Sequence, residues 1–148
     1  MNRIDKKFFE LKKRKKTALI AYITVGYPTL AVTEQLIIAL SKAGVDMFEL
    51  GMPFSDPLAD GPIIQEASAY ALKHHISLAS VFSLTKHLRT KLEAPLLMMG
   101  YYNPILKQGL DNFSKNANQC GLDGIIIPDL PIEESSDLKK CLSQQGIH

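Results

Sequence analysis

The sequence predicts an α/β fold in which a parallel sheet is covered by helices. Three observations carry that expectation. Short runs that are apolar throughout recur along the chain, including residues 17–25, 45–50, 96–102 and 124–127. A strand with one solvated face alternates in polarity, so unbroken apolar runs belong to a sheet buried on both faces. Each run is followed by a stretch with apolar residues at helical spacing, the order of βα units. Glycine or proline marks the junctions, at Gly26, Pro28, Gly44, Pro95 and Gly121, where a helix stops or a strand turns away.

Taken in order, Ile4, Phe8, Phe9 and Leu11 lie near helical spacing and predict an amphipathic first helix that ends in the basic run Lys12 to Lys16. Residues 17–25 (TALIAYITV) form the first strand, and residues 29–43 a helix through Leu36, Leu40 and Ala43. Residues 45–50 are the second strand. A proline-rich loop follows it, then helical stretches over 63–74 and 78–92 divided near Ile76-Ser77. Residues 96–102 read as a third strand, 109–120 as a helix, 124–127 as a fourth strand and 133–145 as the last helix. Four βα units after one extra helix fit an open doubly wound sheet and a (β/α)₈ barrel equally, because both use the same right-handed unit.

The 148 residues, with 46% hydrophobic and 22% charged side chains, match one globular domain with a real core. No apolar run approaches the roughly 20 residues that span a bilayer, and the N-terminus lacks a signal peptide's apolar segment. We therefore expect no membrane association and a cytoplasmic location. Cys120 and Cys141 stand 21 residues apart without a CxxC or a histidine cluster, so reduced structural thiols are expected and no metal site. Residues 1–16 hold eight Lys/Arg against two acids, leaving nine against thirteen in the rest. That local basic charge fits the solvated end of a helix. No aromatic residues interleave it and no nucleic-acid motif follows it, so no nucleic-acid partner is expected.

The chemistry concentrates in residues 48–62. There Glu49 sits among Val45, Met47, Phe48 and Leu50, shielded from water, and a loop carrying Asp56 and Asp60 follows. Pro53, Pro57 and Pro62 fix φ at three points of this loop, so its acids ride on a stiffened backbone. Two carboxyls in unlike settings can divide the work of acid and base. Each also has an ordinary reading: a structural carboxylate after a buried strand for Glu49, and a turn residue before Gly-Pro for Asp60. Asp56 fits an ordinary Ser-Asp-Pro turn as well as a contact with a partner. His74 and His75 end a helix and His87 lies on a helix surface, none with a partner at metal spacing.

The stretch ELGMPFSDPLADGPIIQ, residues 49–65, resembles the signature of the tryptophan synthase α-subunit family. Supporting segments stand in that family's order: Tyr22 to Pro28, Met99 to Pro104 and Ile127 to Ser135. The resemblance extends over essentially the whole chain. It implies a TIM (β/α)₈ barrel and the retro-aldol cleavage of indole-3-glycerol phosphate to indole and glyceraldehyde 3-phosphate in tryptophan biosynthesis. By the same resemblance Glu49 is the general acid/base, Asp60 accepts the indole N–H, and Tyr22 and Tyr101 line the substrate pocket. It further implies an α2β2 complex with a β chain that holds pyridoxal phosphate, no cofactor in this chain, and a β-facing surface at Pro53, Phe54, Asp56, Pro57 and Asn103.

A complete barrel has eight βα units and typically about 250 residues. The expectation is therefore that residues 1–148 form a single domain that is the N-terminal half of a barrel, truncated where a fifth strand would begin. Phosphate in such barrels binds late loops at strands seven and eight, and no glycine-rich loop of that kind is present. Two function classes follow: a carbon–carbon lyase, or a non-catalytic fragment that keeps part of the β-binding surface. A different half-barrel that binds a phosphosugar or nucleotide is disfavoured, since neither G-x-G-x-x-G nor a Walker sequence occurs.

Overall fold

The structure is a computed structural model and describes residues 2–148. Its elements are α1 (Arg3–Lys13), β1 (Ile20–Thr24), α2 (Leu30–Ala43), β2 (Met47–Gly51), α3 (Pro62–Lys73), α4 (Leu78–Arg89), β3 (Leu96–Met99), α5 (Tyr102–Gln108), α6 (Leu110–Cys120), β4 (Gly124–Ile126) and α7 (Ser136–Gln144). A 3₁₀ turn over Ile132–Glu134 precedes α7. Local chemistry accounts for the helix ends. Thr29 accepts a hydrogen bond from the Val32 amide at the start of α2, and Gly44 (φ 106°) closes that helix in the left-handed conformation glycine adopts cheaply.

The four strands are parallel and lie in the order β1-β2-β3-β4. A doubly wound sheet reverses direction at a switch point. Here each strand pairs with its successor, so the sheet is an arc of a barrel wall. The register aligns Tyr22 with Glu49, Glu49 with Leu97, and Leu97 with Gly124 across all four strands. Partners in register share a face, and neighbours along a strand point to opposite faces.

That alternation divides the sheet into two unequal faces. Phe48, Leu50, Leu96 and Met98 are wholly buried. They pack in one core with Ile37 of α2, Val81 and Leu88 of α4, and Phe113 of α6. On the other face Met47 is buried, and Tyr22, Glu49, Leu97, Met99 and Ile126 are only half-buried. The expectation of strands buried on both faces is therefore met on one face only. In a closed barrel the second face meets layers of side chains from the facing strands.

At the N-terminal ends of the strands, α1 is tied down by a polar cluster that the sequence did not reveal. Asp123, 3% exposed, pairs with Arg89 at 2.6 Å and with Arg3 at 3.2 Å, and also accepts from the Leu96 amide at 2.9 Å. Arg89 spends its other donors on the carbonyls of Gly121, Leu92 and Ala94. Asn2 caps α1 through Ile4 and donates to the carbonyls of Asp123 and Gly146. Ile4 reaches the backbone of Gly124, where a Cβ would collide with it. The basic end of α1, Lys12 to Lys16, is exposed.

Several bounds differ from the sequence expectation for physical reasons. Residues 17–19 precede the paired part of β1, because β2 starts at Met47 opposite Ile20. The third strand stops at Met99, and Tyr102 begins α5. The last helix is split by the 3₁₀ turn, with Ser135 at the junction. Among the described residues no helix is long and apolar enough to cross a membrane. Cys120 and Cys141 are both free thiols, and burial pushes Cys120 up to about 11.

The half-buried face and the sheet edges carry a prediction. Leu19, just before β1, and Ile20, its first residue, are 58% and 41% exposed, and an apolar groove lined by Ile125, Ile127, Leu130 and Leu138 flanks β4. Unpaired edges and apolar faces seek partners. A polypeptide of residues 1–148 alone should elute as a self-associated species, by size-exclusion chromatography with light scattering. A compact monomer would contradict this.

Candidate active site

Glu49 and Asp60 reach the same place by different routes. Glu49 lies on β2 with its side chain on the half-buried face, between Phe48 and Leu50 on the helix-covered face. It is two residues from the C-terminal end of its strand, where parallel barrels assemble their catalytic groups. Asp60 lies in the loop between β2 and α3, half-buried, just before the N-cap Gly61. Pro62 takes the first position of α3, where its missing N–H costs nothing.

Tyr22 joins the two acids. It stands opposite Glu49 on β1, and its ring and hydroxyl lie across Gly51, where any Cβ would collide with them. Glycine at 51 is therefore a requirement of this tyrosine's position. Burial pushes the Tyr22 phenol above its usual range, and the nearby charges of Asp60 and Glu49 push in the same direction, while a hydrogen bond with Thr24 opposes them. The proton stays on Tyr22 at neutral pH.

Tyr101, two residues beyond the end of β3, completes the group. It is 3% exposed, its ring stacks on Phe54 with centroids 5.0 Å apart, and its hydroxyl accepts from the Ala59 amide at 2.9 Å. Burial raises this phenol too, opposed by the backbone amides of Ala59 and Asp60 and reinforced by the Asp60 carboxylate, through its charge and a hydrogen bond with the hydroxyl. The Tyr101 hydroxyl is thus spent largely on the loop that carries Asp60. Two carboxyls and a second protonated phenol lie within electrostatic reach of Tyr22 near the C-terminal ends of the strands, an arrangement suited to moving protons on a bound substrate.

Of the residues with an expected partner role, Pro53 is buried, Phe54 and Pro57 are half-buried, and Asp56 and Asn103 are exposed. Ser55 donates to Asp56 at 2.5 Å, so Asp56 is engaged within its own loop. Pro53, Phe54, Asp56 and Pro57 occupy the Asp60 loop, and Asn103 is the second residue of α5, two after Tyr101. His74 caps the end of α3 against Tyr70, and His87 pairs with Glu34 at 3.2 Å on the helix surface.

Two supporting residues escaped the sequence reading. Asp129 accepts from the Tyr102 amide at 3.0 Å and 3.2 Å, which caps α5 and fixes the chain just after Tyr101. Gln65 donates from its carboxamide to the Asp60 carbonyl at 2.8 Å. The Asp129 contact joins residues 27 apart, and nothing in the local pattern signals it. Gln65 lies within the signature itself, so its position was visible and its bond was not.

Known proteins place the geometry in a family. The family model described as Tryptophan synthase alpha chain matches residues 8–148. The tryptophan synthase alpha chain of Geobacter sulfurreducens is 45% identical over 147 residues, covering 99% of this chain and 56% of that one. The crystal structure of tryptophan synthase subunit alpha from Legionella pneumophila superposes with a TM-score of 0.98 at 42% identity, covering all of this chain and 57% of that one. A structure from Pyrococcus furiosus, described as the tryptophan synthase α2β2 complex, superposes with a TM-score of 0.84 at 38% identity, covering 88% of this chain and 55% of that one. The chain spans about half the length of the curated relatives it matches. A sequential parallel arc with its acids at the strand ends, matched over residues 8–148, makes this chain a member of the tryptophan synthase alpha chain family.

Proposed function

We propose that residues 1–148 supply the proton-transfer half of a cytoplasmic lyase barrel that cleaves indole-3-glycerol phosphate to indole and glyceraldehyde 3-phosphate. The observation that carries this reading is the convergence of Glu49, from β2, and Asp60, from the following loop, on Tyr22. Cleavage needs a proton delivered to indole C3 and a proton removed from the glycerol hydroxyl beside the breaking bond. The C–C bond electrons then return to the protonated indole ring, and the hydroxyl carbon becomes the aldehyde. Glu49 acts as the general acid/base for these transfers. Asp60 accepts the indole N–H and balances the positive charge that C3 protonation creates there. Tyr22 lines the pocket between them, and Tyr101 borders it from the Asp60 loop.

The family also implies a partner. The exposed Asp56 and Asn103, with Pro53, Phe54 and Pro57 in the same loop region, form the surface that we assign to a β chain in an α2β2 complex. Indole passes to that chain, which holds pyridoxal phosphate, and this chain needs no cofactor of its own.

The test is Asp60→Asn in a complete barrel, made by joining residues 1–148 to the remaining units of the Legionella pneumophila subunit, whose fold superposes on this one. An amide cannot supply the negative charge. Turnover of indole-3-glycerol phosphate should fall by about 10²–10³-fold, the usual effect of removing one preorganised electrostatic group. Unchanged steady-state turnover would return Asp60 to the turn residues.

A further inference from the structure

Asp60 rides on a loop, yet the backbone on both sides of it is fastened to regular structure. On one side the Ala59 amide donates to the Tyr101 hydroxyl at 2.9 Å, and Tyr101 is fixed at the end of β3. On the other side the Asp60 carbonyl accepts from Gln65 at 2.8 Å, one turn into α3. The N-cap of α3 is Gly61, which has no side chain to cap the helix, and Pro62 follows it. Gln65 reaches back over that gap and ties the preceding residue to the helix instead. Phe54, at the start of the same loop, stacks on the Tyr101 ring. One tyrosine therefore holds the loop near both its ends.

We propose that Gln65 and Tyr101 are positioning residues that clamp the peptide groups flanking Asp60 and so set where its carboxylate meets the substrate. Tyr101 also borders the pocket, so the clamp is read from the mobility of the loop and not from kcat alone. The inference rests on the catalytic reading of Asp60 given above. A misplacement of about 1 Å at a reacting group costs up to roughly 10²-fold in rate, so a slack loop would be felt in turnover.

The experiment uses the completed barrel with Gln65→Glu and Tyr101→Phe. Glutamate keeps the shape of glutamine but, as a carboxylate, has nothing to donate to the Asp60 carbonyl. Phenylalanine keeps the stack on Phe54 and loses the hydroxyl. Gln65 is exposed and Tyr101→Phe preserves the ring, so both variants retain the fold, which circular dichroism and the urea midpoint verify. Hydrogen exchange by mass spectrometry over residues 55–62 is the readout that does not depend on activity. Both variants should exchange faster there, with β2 and α3 still protected, and should lower kcat by about 10- to 100-fold with KM nearly unchanged. Unchanged exchange in both variants would overturn the clamp. Faster exchange with normal kcat would overturn the positioning role if Asp60→Asn is itself crippled. If Asp60→Asn also turns over normally, the catalytic reading fails, and the positioning role fails with it.

Discussion

Glu49→Gln in the completed barrel should lower indole release by about 10²–10⁴-fold, the ordinary cost of losing a general acid/base. The glutamine fills the same volume on the same face of β2, so the neighbouring core of Phe48, Leu50 and Met98 is undisturbed. Substrate binding, measured by calorimetry, should remain within a few-fold of the parent. An amide neither takes up nor releases a proton at C3, and a loss confined to kcat is the signature of an interaction used only in the transition state. Near-normal turnover would remove Glu49 from the mechanism.

The second large effect lies at the opposite end of the strands. Asp123→Ala should destabilise the fold by about 3–5 kcal/mol, because it leaves Arg89, with a side chain only 12% exposed, as an unpaired charge. The Leu96 amide loses its acceptor at the same time. For a chain of this size that corresponds to a drop in Tm of roughly 10 °C or more. Arg3→Ala is the contrast: its side chain is 42% exposed, so its pair with Asp123 should matter by about 1 kcal/mol or less. Urea midpoints of the two variants in the completed barrel test the difference. Equal midpoints would mean that the cluster is not a buried electrostatic anchor.

These two sites show what the amino-acid order reveals and what it hides. The β2 strand, the α2 helix with its Thr29 and Gly44 ends, and the placing of Glu49 and Asp60 follow from apolar period, caps and the 49–65 signature. With residues 96–102 read as one strand and the next helix beginning at 109, α5 has no place in the expected order, and its Pro104 sits in the first turn, where proline is tolerated. The cap that helps to start α5 comes from Asp129, on the far side of β4. Asp123 was equally silent. Nothing in its local pattern marks it, and only the fold brings Arg3 and Arg89 to it. The half-buried second sheet face was hidden as well, because an apolar strand reads the same whether helices or facing barrel strands cover it.

The most direct test is an indole-release assay on residues 1–148 alone, on the completed barrel, and on the completed barrel with Glu49→Gln. Residues 1–148 alone should release no indole, because a small substrate held by half a site loses several of the roughly 7–11 kcal/mol that positioning supplies. The completed barrel should release indole and lose that release with Glu49→Gln. Release from residues 1–148 alone, or from the Glu49→Gln barrel at the parent rate, would contradict the role given to Glu49 and to the completed site.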